Sequence, residues 1–344
     1  MYKMQQSLRR NIAIMALACI GVAALFMLNV FSGAVDIPAP AVWHILTHGG
    51  TAGDSRSFIV LGSRLPQALT AMLSGGALAV CGLMLQAVFR NPLADPSLLG
   101  VSSGAGLGVA LVMLLFGGGI AVGGLSVAGF VAVLAAAFAG SMLVTLLMYS
   151  LSSIIRSNAM LLIAGVMVGY LSSSAIMLLS FFASADGVRA YMLWGMGNYS
   201  SVSAERMPLF AALSAGCILC SALLVKPLNL LVLGTRYAQN LGVDTRRLRN
   251  VILLLAGLLT AVVTAFCGPI AFVGLAVPHI ARLLLRTDDY RLLLPATVIA
   301  GALVSLLCNY ACTLPAEGGV LPVNVVTPVL GAPVIIYIML RQHL

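Results

Sequence analysis

The side chains that could support catalysis are few and scattered in this sequence. Four histidines and nine acidic residues occur among 344 residues, with no HExxH helix, no nucleophile elbow and no carboxylate pair inside an apolar run. The only lysines, Lys3 and Lys226, lie outside any G-x-x-x-x-G-K-[ST] phosphate-binding loop. The chain therefore lacks the residues to bind and hydrolyse ATP, and we expect it not to be an enzyme.

The remaining reactive groups suggest neither redox chemistry nor ion coupling. Cys217 and Cys220 form a CxxC, but "GCILCSALL" is apolar throughout, so we interpret both as packing residues. All nine acidic residues fall in loops or at the ends of apolar runs, whereas carriers driven by protons or sodium usually keep an ionisable group near the midplane. An ion-coupled secondary transporter without an ATPase remains the alternative hypothesis.

Long apolar runs separate these residues. The chain is 61% hydrophobic and 8% charged, with a mean hydropathy of +1.10, which is far outside the range of water-soluble domains. Continuous rather than alternating apolar runs favour helices over a barrel. We predict an all-α polytopic membrane protein with about ten spans: 12–32, 65–89, 97–117, 122–150, 159–183, 207–225, 250–267, 269–286, 292–314 and 324–340.

The distribution of basic residues predicts the orientation of these spans. With the amino terminus in the cytoplasm, ten spans leave only Arg56, Arg64, Arg189 and Arg206 outside, and the other fourteen of the eighteen Lys and Arg residues inside. This is the asymmetry that the positive-inside rule requires, and it predicts that both termini are cytoplasmic. The net charge of +9 is then a topology signal, so we expect no nucleic-acid partner.

The stretch "RNPLADPSLLG", residues 90–100, interrupts two of the apolar runs. Arg90 suits the carbonyl end of a helix, Asn91 and Pro92 stop it, and Asp95 and Pro96 have the types of an N-cap and a first helical residue. We predict a hairpin at the inner membrane face. It is either only a well-capped turn, or a gate in which Asn91 and Leu93 project into a central pathway.

Residues 226–249, which we call the coupling segment, form the longest inner loop. Five basic residues and Asp244 give it a net charge of +4. Gly234 and Gly242 bracket "TRYAQNL", which predicts a short helix with Thr235 as a possible cap and Gly242 as terminator. Such a segment suits docking to a cytosolic partner or, alternatively, a membrane surface with anionic lipid.

Two other patterns concern packing. Gly268, Pro269, Gly274 and Pro278 interrupt the run at 268–295, where neighbouring helices must satisfy the freed backbone groups. Small residues recur every four positions in three ladders, which predicts close helix contacts. The ladders are Gly100, Gly104 and Gly108; Ala71, Gly75 and Ala79; and Gly165, Gly169 and Ser173.

Taken together, five stretches resemble the FecCD-type permease family of bacterial ABC importers. They are "RLPQALTAMLSGGALAVCGLMLQAVFRNPLADPSLLGVSSGAG" at 64–106, "LLIAGVMVG" at 161–169, "LVLGTRYAQNLGV" at 231–243, "GPIAFVGLAVPHIARLLL" at 268–285 and "LPVNVVTPVLGAPVIIYIML" at 321–340. The resemblance implies a single transmembrane permease domain over 1–344 with the type II importer fold. It places the chain in the bacterial inner membrane.

The same resemblance implies an assembly and a cargo. The partners would be a second copy of the chain, two cytosolic ATPases that use ATP and magnesium, a periplasmic substrate-binding protein and membrane lipid. The cargo would be an iron siderophore, haem or cobalamin. We expect no covalently bound cofactor and no metal site in the chain itself.

The resemblance also implies roles for particular residues. ATPase coupling falls on Gly234, Arg236, Ala238, Leu241 and Gly242, and the inner gate falls on Asn91, Leu93, Ser157 and Asn158. For docking of the binding protein outside, Arg64 matches a family arginine. A second common basic position is Gln67 here, and "NYACT" at 309–313 lacks the family's aspartate and arginine, so Arg56 and Arg189 are further docking candidates.

Overall fold

The computed structural model describes residues 2–33, 35–50, 53–115, 127–155, 157–314 and 320–342, which contain helices and no β-strand. The α-helices are α1 Tyr2–Phe31, α2 Ala39–His48, α3 Ser55–Ser57, α4 Leu65–Phe89, α5 Val101–Leu115, α6 Val127–Ile154, α7 Asn158–Phe182, α8 Ala185–Gly195, α9 Met207–Ala222, α10 Val225–Val232, α11 Thr235–Asn240, α12 Thr245–Cys267, α13 Val273–Leu285, α14 Tyr290–Thr313 and α15 Val323–Gln342. A π-helical segment, Phe58–Arg64, joins α3 to α4, and Pro96–Leu99 and Tyr199–Ser201 form 3₁₀ turns.

Each of the ten predicted spans coincides with a helix, namely α1, α4, α5, α6, α7, α9, α12, α13, α14 and α15. Among the described residues, six helical stretches are long and apolar enough to cross a membrane, or seven if α9 and α10 form one broken span. The apolar helices α5, α13 and α15 are shorter. The prediction of an all-α polytopic membrane protein is confirmed.

Two predicted spans begin later than expected, each because of local backbone geometry. The third starts at Val101 rather than at 97, since Gly100 is left-handed (φ 73°) and separates the 3₁₀ turn from α5. The eighth starts at Val273 rather than at 269. Gly268 ends α12 with φ 75°, and the chain stays non-helical until the left-handed Phe272 caps α13. Residues 116–117 and 122–126 of the third and fourth predicted spans lie outside the described residues.

The chain forms two compact units. Unit 1 comprises residues 1–80, 198–225 and 272–344, and unit 2 comprises residues 81–197 and 226–271. Within unit 1, α14 packs against α1, α13 and α15. It also meets α4 closely, because a Cβ on Gly301 would lie 2.7 Å from the Cβ of Ala79. The predicted ladder containing Gly75 and Ala79 is therefore a helix-packing surface, as expected.

Three buried or half-buried amides are linked in a chain of hydrogen bonds within unit 1. The Asn309 amide donates to Asn29 Oδ1 at 2.8 Å, and the Gln67 amide donates to Asn309 Oδ1 at 2.9 Å. Asn29 itself donates to the Leu306 carbonyl at 3.1 Å and to the Leu25 carbonyl at 2.8 Å. Because unpaired amides are costly inside a membrane, these bonds help to fix α1, α4 and α14 against one another.

In unit 2, α5 packs against α6, α7, α8 and α12. The backbones of α5 and α6 are close, since a Cβ on Gly104 would lie 2.6 Å from the Gly140 carbonyl oxygen. Ala105, Val109, Ala137 and Ala265 form a buried core of small side chains in this region. The ladder of Gly100, Gly104 and Gly108 thus lets helices approach closely, as predicted.

Candidate coupling and gate site

The hairpin after α4, residues 90–95, is a structured turn. Arg90 is left-handed (φ 50°) and follows the last residue of α4. The side chain of Asn91 then accepts a hydrogen bond from the Leu93 amide at 2.9 Å. Asp95 accepts bonds from the backbone N–H of Ser97 at 3.2 Å and from its hydroxyl at 2.5 Å. The predicted roles of Asp95 as N-cap and Pro96 as first helical residue are confirmed, although the element that they begin is a 3₁₀ turn.

The carboxyl group of Asp95 is buried beneath this turn. Burial raises its pKa above the ordinary value for aspartate, while the two bonds from Ser97 partly oppose that rise. The 3₁₀ turn that follows the hairpin packs directly on α7, because a Cβ on Gly165 would lie 2.5 Å from the Leu98 carbonyl oxygen. The hairpin is thereby held against the first half of α7.

The two predicted gate residues before and at the start of α7 lie beside the start of the hairpin. Ser157 is the N-cap of α7 and accepts from the Met160 amide at 3.4 Å. The Asn158 amide donates to the Val88 carbonyl in the last turn of α4 at 2.8 Å. The predicted residues on the hairpin and on α7 therefore share one end of unit 2, with Leu93 38% exposed there.

The coupling segment folds into the short helices α10 and α11 and the first residues of α12. Gly234 (φ 122°) is the N-cap of α11, so the expectation that Thr235 is the cap is wrong: Thr235 is the first helical residue. At the other end, Gly242 (φ 85°) donates to the Gln239 carbonyl and Val243 donates to the Ala238 carbonyl, both at 3.0 Å. This pair of bonds is a Schellman motif, so the prediction of Gly242 as terminator is confirmed.

The α11 helix has an inner and an outer face. Ala238 is fully buried, whereas Arg236 is exposed and Tyr237 and Leu241 are each more than half exposed. Tyr237 was not among the predicted coupling residues, although it directly follows Arg236 in the sequence and is exposed like it. The surface that a partner would meet therefore includes one guanidinium, one aromatic ring and one leucine.

Arg90 connects the coupling segment to the hairpin. Its guanidinium donates to the Leu231 carbonyl near the end of α10 at 3.3 Å, and its Nη2 would lie 3.8 Å from a Cβ on Gly234. The sequence pattern indicated only a helix-end cation at Arg90. A bond between residues 141 positions apart gives no local signal that could have revealed this role.

Arg249, in the first turns of α12, is a second residue of this site that no sequence pattern indicated. It is buried and donates to Asn158 Oδ1 at 3.2 Å and to the carbonyls of Ser152 at 2.5 Å and Ile155 at 3.1 Å. Arg246, one turn earlier, donates to the Ser153 carbonyl. The ends of α6 and α4 and the starts of α7 and α12 thus meet around these arginines.

A cavity of about 540 Å³ opens between these elements within unit 2. It is polar, and three of its nine lining residues are arginines. The lining comprises Val88, Arg90, Asn158, Leu231, Thr235, Gln239, Thr245, Arg246 and Arg249.

The three arginines predicted to dock an outside partner have different environments. Arg64 is only 6% exposed, and its guanidinium donates to the carbonyls of Val30 at 3.3 Å, Phe31 at 3.0 Å and Val35. It closes the end of α1 and offers little surface for docking. Arg56 and Arg189 are exposed, so of the three only these have guanidinium groups free to meet a partner.

The described part of the chain thus consists of apolar helices long enough to cross a membrane, with the short, exposed α11 between two of them. The chain belongs to the FecCD transport family, whose model matches residues 21–341. It is 37% identical over 281 residues to the vitamin B12 import system permease protein BtuC of Salmonella paratyphi A, covering 81% of this chain and 82% of that protein. The same figures hold for BtuC of Salmonella typhi.

A solved structure supports the same fold. The chain matches an inward-facing ABC transporter described as of the metal-chelate type, with a TM-score of 0.79 and 27% identity. The match covers 96% of this chain and 99% of that one. The chain is thus a permease subunit with the type II ABC importer fold, in keeping with the expectation from its sequence, and a multi-pass protein of the inner membrane.

Proposed function

We propose that this chain is the permease of an importer that brings cobalamin or an iron chelate into the cytoplasm. The similarity to proteins named for vitamin B12 import supports cobalamin, and the solved metal-chelate transporter supports an iron chelate such as a siderophore or haem. ATP and magnesium are used by two cytosolic ATPase subunits. The working unit is a homodimer of this chain that receives cargo from a periplasmic binding protein.

In this proposal α11 is the contact with the ATPase. Its exposed Arg236, Tyr237 and Leu241 form the docking surface, and Gly234 and Gly242 define its two ends. The single observation that carries the proposal is the bond from Arg90 to the Leu231 carbonyl, which ties the segment carrying α11 to the hairpin. A displacement of α11 by the closing ATPases therefore pulls on the hairpin directly.

The gate in this proposal consists of the hairpin and the start of α7. Asn158 is bonded both to the Val88 carbonyl in α4, just before the hairpin, and to Arg249, so it links the start of α7 to the end of α4 and to the first turns of α12. Asn91 and Leu93 are the side chains on the hairpin that close the path. On the outer side, Arg56 and Arg189 supply positive charge for acidic residues of the binding protein.

The proposal is tested by uptake into proteoliposomes. The chain is reconstituted with its ATPase and its binding protein, ATP and magnesium are enclosed, and labelled cobalamin, ferric siderophore and haem are offered separately. We expect one ligand to accumulate only when all three proteins and ATP are present. Uptake by this chain alone, driven by a proton or sodium gradient, would instead establish the secondary transporter.

A further inference from the structure

The cavity of unit 2 lies at the depth of lipid headgroups. Three of its lining residues mark the ends of membrane-spanning helices: Val88 is in the last turn of α4, Asn158 is the first residue of α7, and Arg249 is near the start of α12. The apolar parts of these helices all extend away from the cavity. It therefore opens where a bilayer changes from hydrocarbon to phosphate.

The charges around this cavity are of one sign. Arg90, Arg246 and Arg249 all line it, and none of the nine lining residues is an aspartate or a glutamate. Guanidinium groups that share a concave site repel one another. The carbonyl groups that they already bind offset part of this repulsion, and an anion between them would offset more of it. The positive charge of the lining thus predicts an anionic occupant.

Two of the arginines retain donors for such an occupant. A guanidinium has five N–H groups, and the bonds from Arg90 to the Leu231 carbonyl and from Arg246 to the Ser153 carbonyl each use one. Both side chains are exposed. Charge-assisted bonds from arginine forks are the strongest that proteins make to phosphate and carboxylate oxygens.

Neutral donors complete the lining. Thr235 and Thr245 supply hydroxyl groups, and Gln239 supplies an amide that donates to the Thr245 hydroxyl at 3.0 Å. A mixture of guanidinium, hydroxyl and amide donors suits the several oxygens of a tetrahedral anion. The volume of about 540 Å³ is in the range of sites for whole small molecules.

We propose that this cavity binds a phosphate-bearing anion, supplied by the headgroup of an anionic lipid or by a soluble phosphate. The proposal does not depend on the transported substrate. A bound phosphate would contact Arg90 next to the hairpin, Thr235 and Gln239 on α11, and Arg246 on α12. It would therefore join the coupling segment to the gate through a second bridge beside the bond from Arg90 to Leu231.

The experiment compares three single variants of the full chain. Arg246→Gln removes a lining guanidinium, Arg246→Lys keeps the charge without the fork, and Arg247→Gln is the matched control. Arg247 is the next residue on the same helix, is also exposed and is not part of the lining. Each variant is placed in nanodiscs of phosphatidylcholine with or without one fifth phosphatidylglycerol, and native mass spectrometry counts the phosphatidylglycerol that remains bound.

A second arm uses phosphatidylcholine nanodiscs alone. Inorganic phosphate is titrated at constant ionic strength against chloride, and the melting temperature is recorded.

If the lipid is the source, Arg246→Gln lowers phosphatidylglycerol binding about tenfold, Arg246→Lys lowers it less and Arg247→Gln leaves it unchanged. If soluble phosphate is the source, phosphate stabilises the wild type and the Arg247→Gln variant but not the Arg246→Gln variant.

Three results would overturn the proposal. Equal losses in Arg246→Gln and Arg247→Gln would mean that only general surface charge attracts the anion. No specific response to either phosphatidylglycerol or phosphate would mean that the cavity does not take this ligand. Unchanged anion binding in Arg246→Gln would mean that the cavity does not hold the anion, and loss of ATPase binding when that subunit is added to the same nanodiscs would assign the cavity to an acidic side chain of the partner.

Discussion

At the scale of single residues, buried arginines in this chain bind backbone carbonyl groups at helix ends. Arg64 holds carbonyls at the end of α1, and Arg249 holds those of Ser152 and Ile155 at the end of α6. The last carbonyls of a helix lack partners within the helix, and a cation is favourable there. These two arginines therefore stabilise helix ends, a role that residue type alone cannot distinguish from surface docking.

The buried Asp95 leads to a prediction about pH. Because burial raises its pKa in the folded state, the protonated form is favoured by folding. Protonation of Asp95 therefore contributes to the free energy of unfolding. This contribution is complete below the unfolded pKa of about 4 and is lost as pH rises through the folded pKa. Its size is about 1.4 kcal/mol for each unit by which the two pKa values differ.

Asp95→Asn should remove this dependence. The asparagine side-chain oxygen can still accept the bonds from Ser97, and the side chain does not ionise. We expect the melting temperature of the variant in detergent, relative to wild type, to rise as the pH increases above about 4 and to level off once Asp95 is ionised in the folded wild type. Asp244→Asn, at the exposed N-cap of α12, is the control for loss of a carboxylate, and a pH-independent difference for Asp95→Asn would contradict the prediction.

At the scale of elements, sequence patterns predicted the long helices well and the short ones partly. Apolar runs located all ten spans because length and hydropathy determine which helices can cross a bilayer. The helices α2 and α8 lie outside those runs and were not predicted. Thr235 has the type of a cap, but the structure uses Gly234, whose φ of 122° belongs to glycine.

The ends of α11 provide a prediction for coupling. Gly234 and Gly242 both have positive φ, and no atom lies within 4 Å of a Cβ built on Gly242, so backbone conformation rather than space requires glycine there. Gly242→Val should distort the Schellman turn at a cost of about 1–2 kcal/mol. We expect most of the co-purified ATPase to be lost while the yield of membrane-inserted chain is unchanged.

A matched control for this variant is Gly216→Val in α9. Gly216 is exposed, has an ordinary helical φ and also has no atom within 4 Å of a built Cβ. It should retain the ATPase. Equal retention of the ATPase by the Gly242→Val variant would refute the assignment of α11 as the coupling helix.

At the scale of the whole molecule, the charge distribution makes a prediction about sidedness. Within unit 2, Arg189 lies on α8, which follows the end of α7. Arg236 lies in the coupling segment, which is bonded to the start of α7 through Arg249 and Asn158. The 25 residues of α7 therefore separate the two arginines across the membrane. In a chain with Cys19 and Cys220 replaced by serine, Arg236→Cys should react with an impermeant maleimide only in inside-out vesicles. Arg189→Cys should react only in spheroplasts, and the opposite pattern would reverse the predicted orientation.

The site as a whole could be predicted only in part. Resemblance and spacing indicated the hairpin, the start of α7 and the coupling segment, because each is a local pattern of prolines, glycines and caps. The arginines that join them were not indicated as a group, since Arg90 and Leu231 lie 141 positions apart and Arg249 and Asn158 lie 91 apart. Long-range bonds of this kind follow from the tertiary packing, which one sequence does not encode in any local pattern.

The amide chain of unit 1 has a consequence for how the protein is made. Asn29 enters the bilayer with the first helix, where its amide can already donate to the Leu25 carbonyl. The side-chain oxygen of Asn29 accepts from Asn309, which is 280 residues further along the chain. At about 5–20 residues per second, the ribosome needs roughly 15–60 s to supply that partner. During synthesis the side-chain oxygen of Asn29 therefore waits for its partner on α14 until nearly the whole chain has been made.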